Sequence, residues 1–249
     1  MRVVVRALVL VALSLLALQL AFAARIALMA ALDPASTTFQ RSEIWRLATG
    51  RGEVLWSQRW TPYERISPNL KRAVVASEDA GFTDHGGVDW DAIEKAWERN
   101  QRAEARAEKL QSRLAARPGT ARPAPRVRIV GGSTITQQLA KNLFLSSERS
   151  LARKGQELAV TFMLEMLLSK ERLLELYLNH VEWGEGVFGA QAAARHYFRV
   201  DADRLAPMQA ARLAVMLPAP KRFEKRPGSA YVAGRAATIV ARMRDVELP

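Results

Sequence analysis

Two acids, Glu78 and Asp79, close the apolar run in "VVASEDAGFTDHGG", and His85 and two glycines follow. Carboxylates at a helix C-terminus oppose the helix dipole, which favours cations there. A carboxylate held against that field, after an apolar run, tends toward a raised pKa. A general base or acid working near neutral pH needs that shift. The plain alternative is an ordinary helix end with a polar loop. His85 fits orienting Asp79 or the loop as well as it fits direct chemistry.

A second group is "RSLARKGQE", where Arg153, Lys154 and Glu157 stand at i, i+1 and i+4. Arg153 and Glu157 share a helical face, with Lys154 beside them. A carboxylate held among cations suits phosphate or metal-bridged phosphate. A solvated ion-pair stripe has the same spacing. The third group is "GGSTITQQLAKN". Its two glycines allow close backbone approach, and the helix that follows offers N–H groups to an anion. Ser133, Thr134, Gln137 and Gln138 add hydrogen bonding, and Lys141 adds charge. A well-capped helix would explain part of this pattern.

Composition limits the chemistry. The 249 residues include no cysteine and three histidines, so disulfides and thiolate metal sites are excluded and a zinc site is disfavoured. Carboxylates, hydroxyls and cations must act. A net charge of +12 calls for an anionic partner. Between Glu94 and Arg128, ten Lys/Arg face four Asp/Glu, so half the surplus lies in one segment. At the N-terminus, Arg2 and Arg6 precede an uncharged run from Ala7 to Ala24, ~27 Å as a helix. We read residues 7–30 as a transmembrane signal anchor with a cytoplasmic N-terminus. Ala21-Phe22-Ala23 also resembles a signal-peptide cleavage site. Either reading exports the rest of the chain and argues against nucleic acid as partner.

The elements that must position these groups are nearly all helical. Residues 31–66 read as a linker and approach segment, with a short strand or hairpin around "GRGEVLWSQRW". Ser67-Pro68 starts a helix leading into Glu78. A helix from about Asp89 is amphipathic through Trp90, Ile93 and Trp97, then almost wholly polar. "RPGTARPAPRVR" is a Pro-rich loop. Thr134 with Gln137 fits a capping box. Further helices begin at Ser150 and Ser169, and three more close the chain. "GEGVFG" is G-x-G-x-x-G, but it follows a helix rather than a strand, so no dinucleotide site is expected.

Together the segments resemble the peptidoglycan glycosyltransferases, or transglycosylases, in their monofunctional biosynthetic form. "EDAGFTDHGG", "GGSTITQQ", "RKGQE", "LLELYLN" and "GEGVFGAQAAARHYF" appear in the family's order over about 66–220. The departure is "RAEARAEKLQSRLAARPGTARPAP", which reads as an insertion over 102–125. The resemblance implies an all-α, lysozyme-like domain over 67–249 behind a transmembrane helix. It would lie on the outer, periplasmic face of the bacterial cytoplasmic (inner) membrane. It implies polymerisation of lipid II, and of the growing lipid-linked glycan chain, with loss of undecaprenyl pyrophosphate. Glu78 would be the base, and Asp79, Phe82 and His85 would shape its pocket. Lys141, Arg149, Arg153 and Lys154 would neutralise the pyrophosphate, with Glu157 organising them or a divalent cation (Mg or Mn). Ser133, Gln137, Gln138 and Asn179 would contact substrate or loop. No organic cofactor is implied, and other cell wall synthases or division proteins are possible partners. On this reading Arg153→Ala weakens donor turnover more than Glu165→Ala. A lysozyme-like glycan hydrolase and a non-catalytic basic membrane-surface protein are the competing readings. The cation stripe argues against the hydrolase, and the motif string against the scaffold.

Overall fold

A computed structural model of the chain describes residues 1–51, 54–115, 131–145, 148 and 150–249. Helix α1 (Arg2–Leu28) is ~40 Å long by helical rise. Its leading part stands clear of the domain, while its end packs on it. Gln19 and Gln156 exchange amide hydrogen bonds at 2.8 and 3.0 Å, Phe22 meets Phe144 edge-on at 5.2 Å, and Ile26 is fully buried.

Residues 31–66 are more than the expected linker. Helix α2 (Thr38–Arg51) opens on a reciprocal cap, Gln40 N–H to Thr37 Oγ1 and Thr37 N–H to Gln40 Oε1. Three of its buried positions, Thr37, Gln40 and Glu43, are polar, with Leu47 the apolar one. No apolar stripe therefore announces the helix in the sequence. Strand β1 (Ser57–Gln58) does not form a local hairpin; it pairs in parallel with β3 (Val187–Phe188), which is antiparallel to β2 (Glu182–Gly184). The first two G-x-G-x-x-G glycines, Gly184 and Gly186, lie in and beside this small sheet, and the third, Gly189, caps the helix that follows. Gly186 has φ +73°, and a Cβ there would collide with the Leu55 carbonyl, so packing requires glycine.

Helix α3 (Pro68–Glu78) starts as its cap predicts, with the Asn69 N–H donating to Ser67 Oγ. Helix α4 (Trp90–Ala115) follows, and α5 (Ile135–Phe144), α6 (Leu151–Leu167) and α7 (Lys170–His180) carry the candidate site together with the end of α3. Helix α7 stops at His180, and Glu182–Gly184 turns into β2 rather than prolonging it. Helices α8 (Ala190–Phe198), α9 (Pro207–Met216), α10 (Pro220–Phe223) and α11 (Ala230–Arg242) complete the domain. Helix α3 packs against α9 and α11, burying Leu70, Val74, Leu213, Ala236 and Ile239. Helix α5 packs against α6, α7 and α2, burying Ile135, Leu139, Leu143, Val160 and Leu174. The site lies where these two groups of helices meet.

Helix α4 departs from its expected packing. Trp90 and Trp97 are 65% and 64% exposed, and Ala96 is the buried position. Ile93 rests against the chain leading into α5. The second glycine of the GGST run, Gly132, lies so close to it that a Cβ would stand 3.1 Å from the Ile93 Cα. This glycine's close approach is thus to helix α4.

Candidate active site

Glu78 is the last residue of α3 and is half-buried. Burial raises its pKa above the usual carboxylate value, and the Asp79 charge adds to the rise. Hydrogen bonds oppose the shift, chiefly from Gln138 Nε2, which donates to Glu78 Oε2 at 3.0 Å. Gln138 is itself held, because the buried Tyr177 hydroxyl donates to its Oε1 at 3.0 Å. Burial lifts the Tyr177 pKa well above its ordinary value, so the phenol stays a donor. The Gln138 amide is therefore fixed with its N–H side toward Glu78.

Asp79 organises the loop. Its Oδ1 accepts from His85 Nε2 at 2.8 Å, and its Oδ2 accepts from the Ile135 N–H at 2.9 Å. The anion at the N-terminus of α5 is thus the protein's own carboxylate. The Gln137 N–H is likewise taken by Thr134 Oγ1, and Thr134 N–H donates to Gln137 Oε1. This corrects the expectation that the helix end offers those groups to a substrate anion. His85 Nδ1 accepts the Gly87 N–H at 3.1 Å, which selects the Nε2-protonated tautomer. The Asp79 contact raises the His85 pKa. Thr134 Oγ1 donates to the Gly87 carbonyl at 2.6 Å, tying the loop to the cap of α5.

A brace behind this loop was not anticipated. Lys170 Nζ donates to the His85 carbonyl at 2.6 Å, pairs with Glu165 at 2.9 Å, and lies 4.6 Å from the centre of the Phe82 ring. Thr136 Oγ1 donates to Glu165 Oε1 at 2.6 Å. Phe82 is fully buried; it supports the loop from beneath and presents no surface to a substrate.

The second pole lies on α6. Glu157 is 4% exposed, yet it accepts from Arg153 at 2.8 Å and Lys154 at 2.5 Å. A surface ion-pair stripe would leave the carboxylate in water; this one is buried beneath its cations. Arg153 keeps a buried Nε with no hydrogen-bond partner. Lys141 extends the cation group. The surrounding protein lowers its pKa, with Arg153 and Lys154 pushing the same way and Glu157 opposing, although its side chain still reaches solvent. Helix α5 thus joins the poles. Gln138 touches Glu78, and Lys141, one turn on at ~4.5 Å of rise, feels Glu157.

Other expected residues fare differently. Ser133 is exposed just before the cap. Gln137 is occupied by the capping box. Asn179 is fully buried and saturated: its Oδ1 accepts the Thr61 N–H, and its Nδ2 donates to the Thr61 and Glu175 carbonyls. It ties the segment before α3 to α7 and is not placed to meet substrate. Arg149 lies outside the described residues. Among the described residues no group of three His, Cys, Asp or Glu is arranged around a metal position. Both Glu157 oxygens already face cations, so the residues present do not fit a resident divalent ion.

The comparisons with known proteins fall on the same motifs. A family model described as Transglycosylase matches residues 49–109 and 120–244. The chain belongs to the transglycosylase family. Its fold is accordingly the all-α, lysozyme-like fold of that family, preceded by an apolar helix. It is 52% identical over 235 residues to a biosynthetic peptidoglycan transglycosylase of Burkholderia thailandensis, covering 94% of this chain and 83% of the relative. A protein of the same name from Bordetella pertussis is 52% identical over 217 residues, 87% of this chain and 82% of the relative. One from Burkholderia orbicola is 50% identical over 234 residues, 94% and 86%. The unmatched window, 110–119, falls inside the insertion read at 102–125, whose first part continues α4 to Ala115. Members of this transglycosylase family are glycosyltransferases, which sets the chemistry the site must serve. Sequence reasoning missed Tyr177, Glu165, Lys170 and Thr136. Tyr177 lies inside the quoted "LLELYLN" motif, and that was its signal. Glu165 and Lys170 carried none, because a Glu and a Lys five apart on two helices look like surface charges.

Proposed function

We propose that this glycosyltransferase polymerises lipid II into β-1,4-linked glycan strands for the bacterial cell wall. Glu78 takes the proton from the 4-hydroxyl of the acceptor sugar. The oxygen attacks C1 of the donor sugar, the new C–O bond forms with inversion, and the bond from C1 to the lipid pyrophosphate breaks. The electron pair leaves on the pyrophosphate, where Lys141, Arg149, Arg153 and Lys154 meet the developing charge. Glu157 holds Arg153 and Lys154 in place so that the charge is met without reorganisation. The observation that carries this reading is the pairing of a half-buried carboxylate of raised pKa, Glu78, with a cation group that Lys141 joins one helical turn along α5.

The apolar α1, packed at its end onto α5 and α6, supports an uncleaved anchor, with the domain on the periplasmic face of the inner membrane. A magnesium or manganese ion would belong to the substrate complex, arriving with the pyrophosphate rather than held by the protein's own residues. Other cell wall synthases and division proteins are proposed as partners on the family resemblance alone.

The test is incubation of the full chain with purified lipid II, with and without chelator, followed by muramidase digestion. The proposal expects a lipid-linked polymer that muramidase cuts to disaccharide units. Cleavage of preformed glycan with no polymer from lipid II would instead favour the hydrolase. Activity that survives chelation would remove the ion from the proposal.

A further inference from the structure

We infer that the foot of the anchor helix carries a binding site for the phosphodiester headgroup of an anionic membrane phospholipid. A cavity of about 280 Å³ lies there, between the end of α1 and the start of α2. Its apolar wall is Leu28, Met29 and Leu32, and two guanidiniums, Arg25 and Arg41, stand at its polar side.

Among the described residues, both cations are held in place without a carboxylate. Arg25 lies 5.2 Å over the Phe144 ring, and Arg41 donates to Ser36 Oγ and Thr38 Oγ1, each at 3.1 Å. The acid on the rim, Asp33, turns to Arg172 at 2.7 Å, a guanidinium it shares with Glu175 at 2.6 Å. The cavity therefore presents two guanidiniums that, among the described residues, pair with no carboxylate, beside an apolar wall. Planar guanidiniums suit phosphate oxygens in a two-point grip.

Location selects the source of the phosphate. The uncharged run of α1 ends at Ala24, so Arg25 is the first charge after a stretch of bilayer length. A headgroup at that depth brings its glycerol and acyl carbons against Leu28 and Leu32, which are largely exposed. A soluble phosphate would leave that wall wet. The site is separate from the Glu157 cation group, shares none of its residues, and does not depend on the proposed reaction.

The test is native mass spectrometry of the full chain released from nanodiscs. One set contains phosphatidylglycerol in phosphatidylcholine, and the other phosphatidylcholine alone. Wild type is expected to retain phosphatidylglycerol, and the R25Q/R41Q variant to retain it roughly tenfold less. R25K/R41K keeps the charge and loses the fork, so it should fall between them. Because Arg41 also orders its own loop, Ala35→Trp fills the cavity while sparing every cation and should lower retention as well. Thermal midpoints of the variants check folding. Equal retention by wild type and both the Gln and Trp variants would overturn the inference. Displacement of the lipid by millimolar inorganic phosphate would overturn the lipid source and leave a soluble-anion site.

Discussion

In the proposed reaction, Glu78 and its neighbours fix the acid limb. A base works deprotonated, so activity falls as pH drops through the Glu78 pKa, which burial has raised. Gln138 opposes that rise, so Gln138→Met should move the acid limb of the kcat profile to higher pH, read from lipid II turnover at several pH values. The same shift has a stability consequence. A carboxyl whose folded pKa is raised stabilises the fold below its unfolded pKa, and that contribution is lost as pH rises through the folded value. Glu78→Gln should therefore melt no lower than wild type at neutral pH, while being inactive. Glu78 was legible in the sequence because an acid pair after an apolar run is conspicuous. Its tuning was not, because it depends on Gln138 and Tyr177, which are distant in sequence and meet it through three separate helices.

At the level of elements, the loop from Asp79 to Gly87 is held from two sides, by the cap of α5 and by the Lys170–Glu165 brace. Glu165 is thus a positioning residue, unsuited as an inert comparator for Arg153. Lys170→Met and Glu165→Gln should each lower kcat roughly 10- to 100-fold, as misplacement of a reacting group does, with little change in KM. Arg153→Ala should raise KM for the donor as well, a split that steady-state kinetics with varied lipid II resolves. The polar end of α4 makes the opposite prediction: deletion of 102–125 should leave a folded chain with measurable polymerisation. Helices with a cap and an apolar face, α3, α5, α6 and α7, were readable from sequence. Helix α2 was hidden because its buried side is mostly polar; a short strand was readable around Ser57–Gln58, but its partners were not, because the strands are two or three residues long and joined across the chain.

Across the whole molecule, α1 and α2 are built into the domain. Lys221 on α10 pairs with Glu43 on α2 at 2.5 Å and stands 3.4 Å from Glu182 on β2, linking α2 to the small sheet. Burial pushes the Glu182 pKa up to about 7, with Lys221 opposing. Stability from this group is full below the ordinary carboxylate pKa and lost as pH rises through about 7. Glu182→Gln should raise the melting temperature at pH 8 by ~2–4 °C and leave it near wild type at pH 4, by calorimetry. The fold class and an apolar helix long enough to cross a membrane were legible from helical patterning and the apolar N-terminus. This cross-linking was not, because its charges come from three elements and pair only once the chain has closed. The central claim is that one carboxylate, Glu78, is the base for sugar–sugar bond formation. Single-turnover polymerisation of purified lipid II by the Glu78→Gln chain tests it most directly. The account predicts a rate at least ~10²-fold below wild type, with donor binding and melting temperature preserved; polymer at near wild-type rate would contradict it.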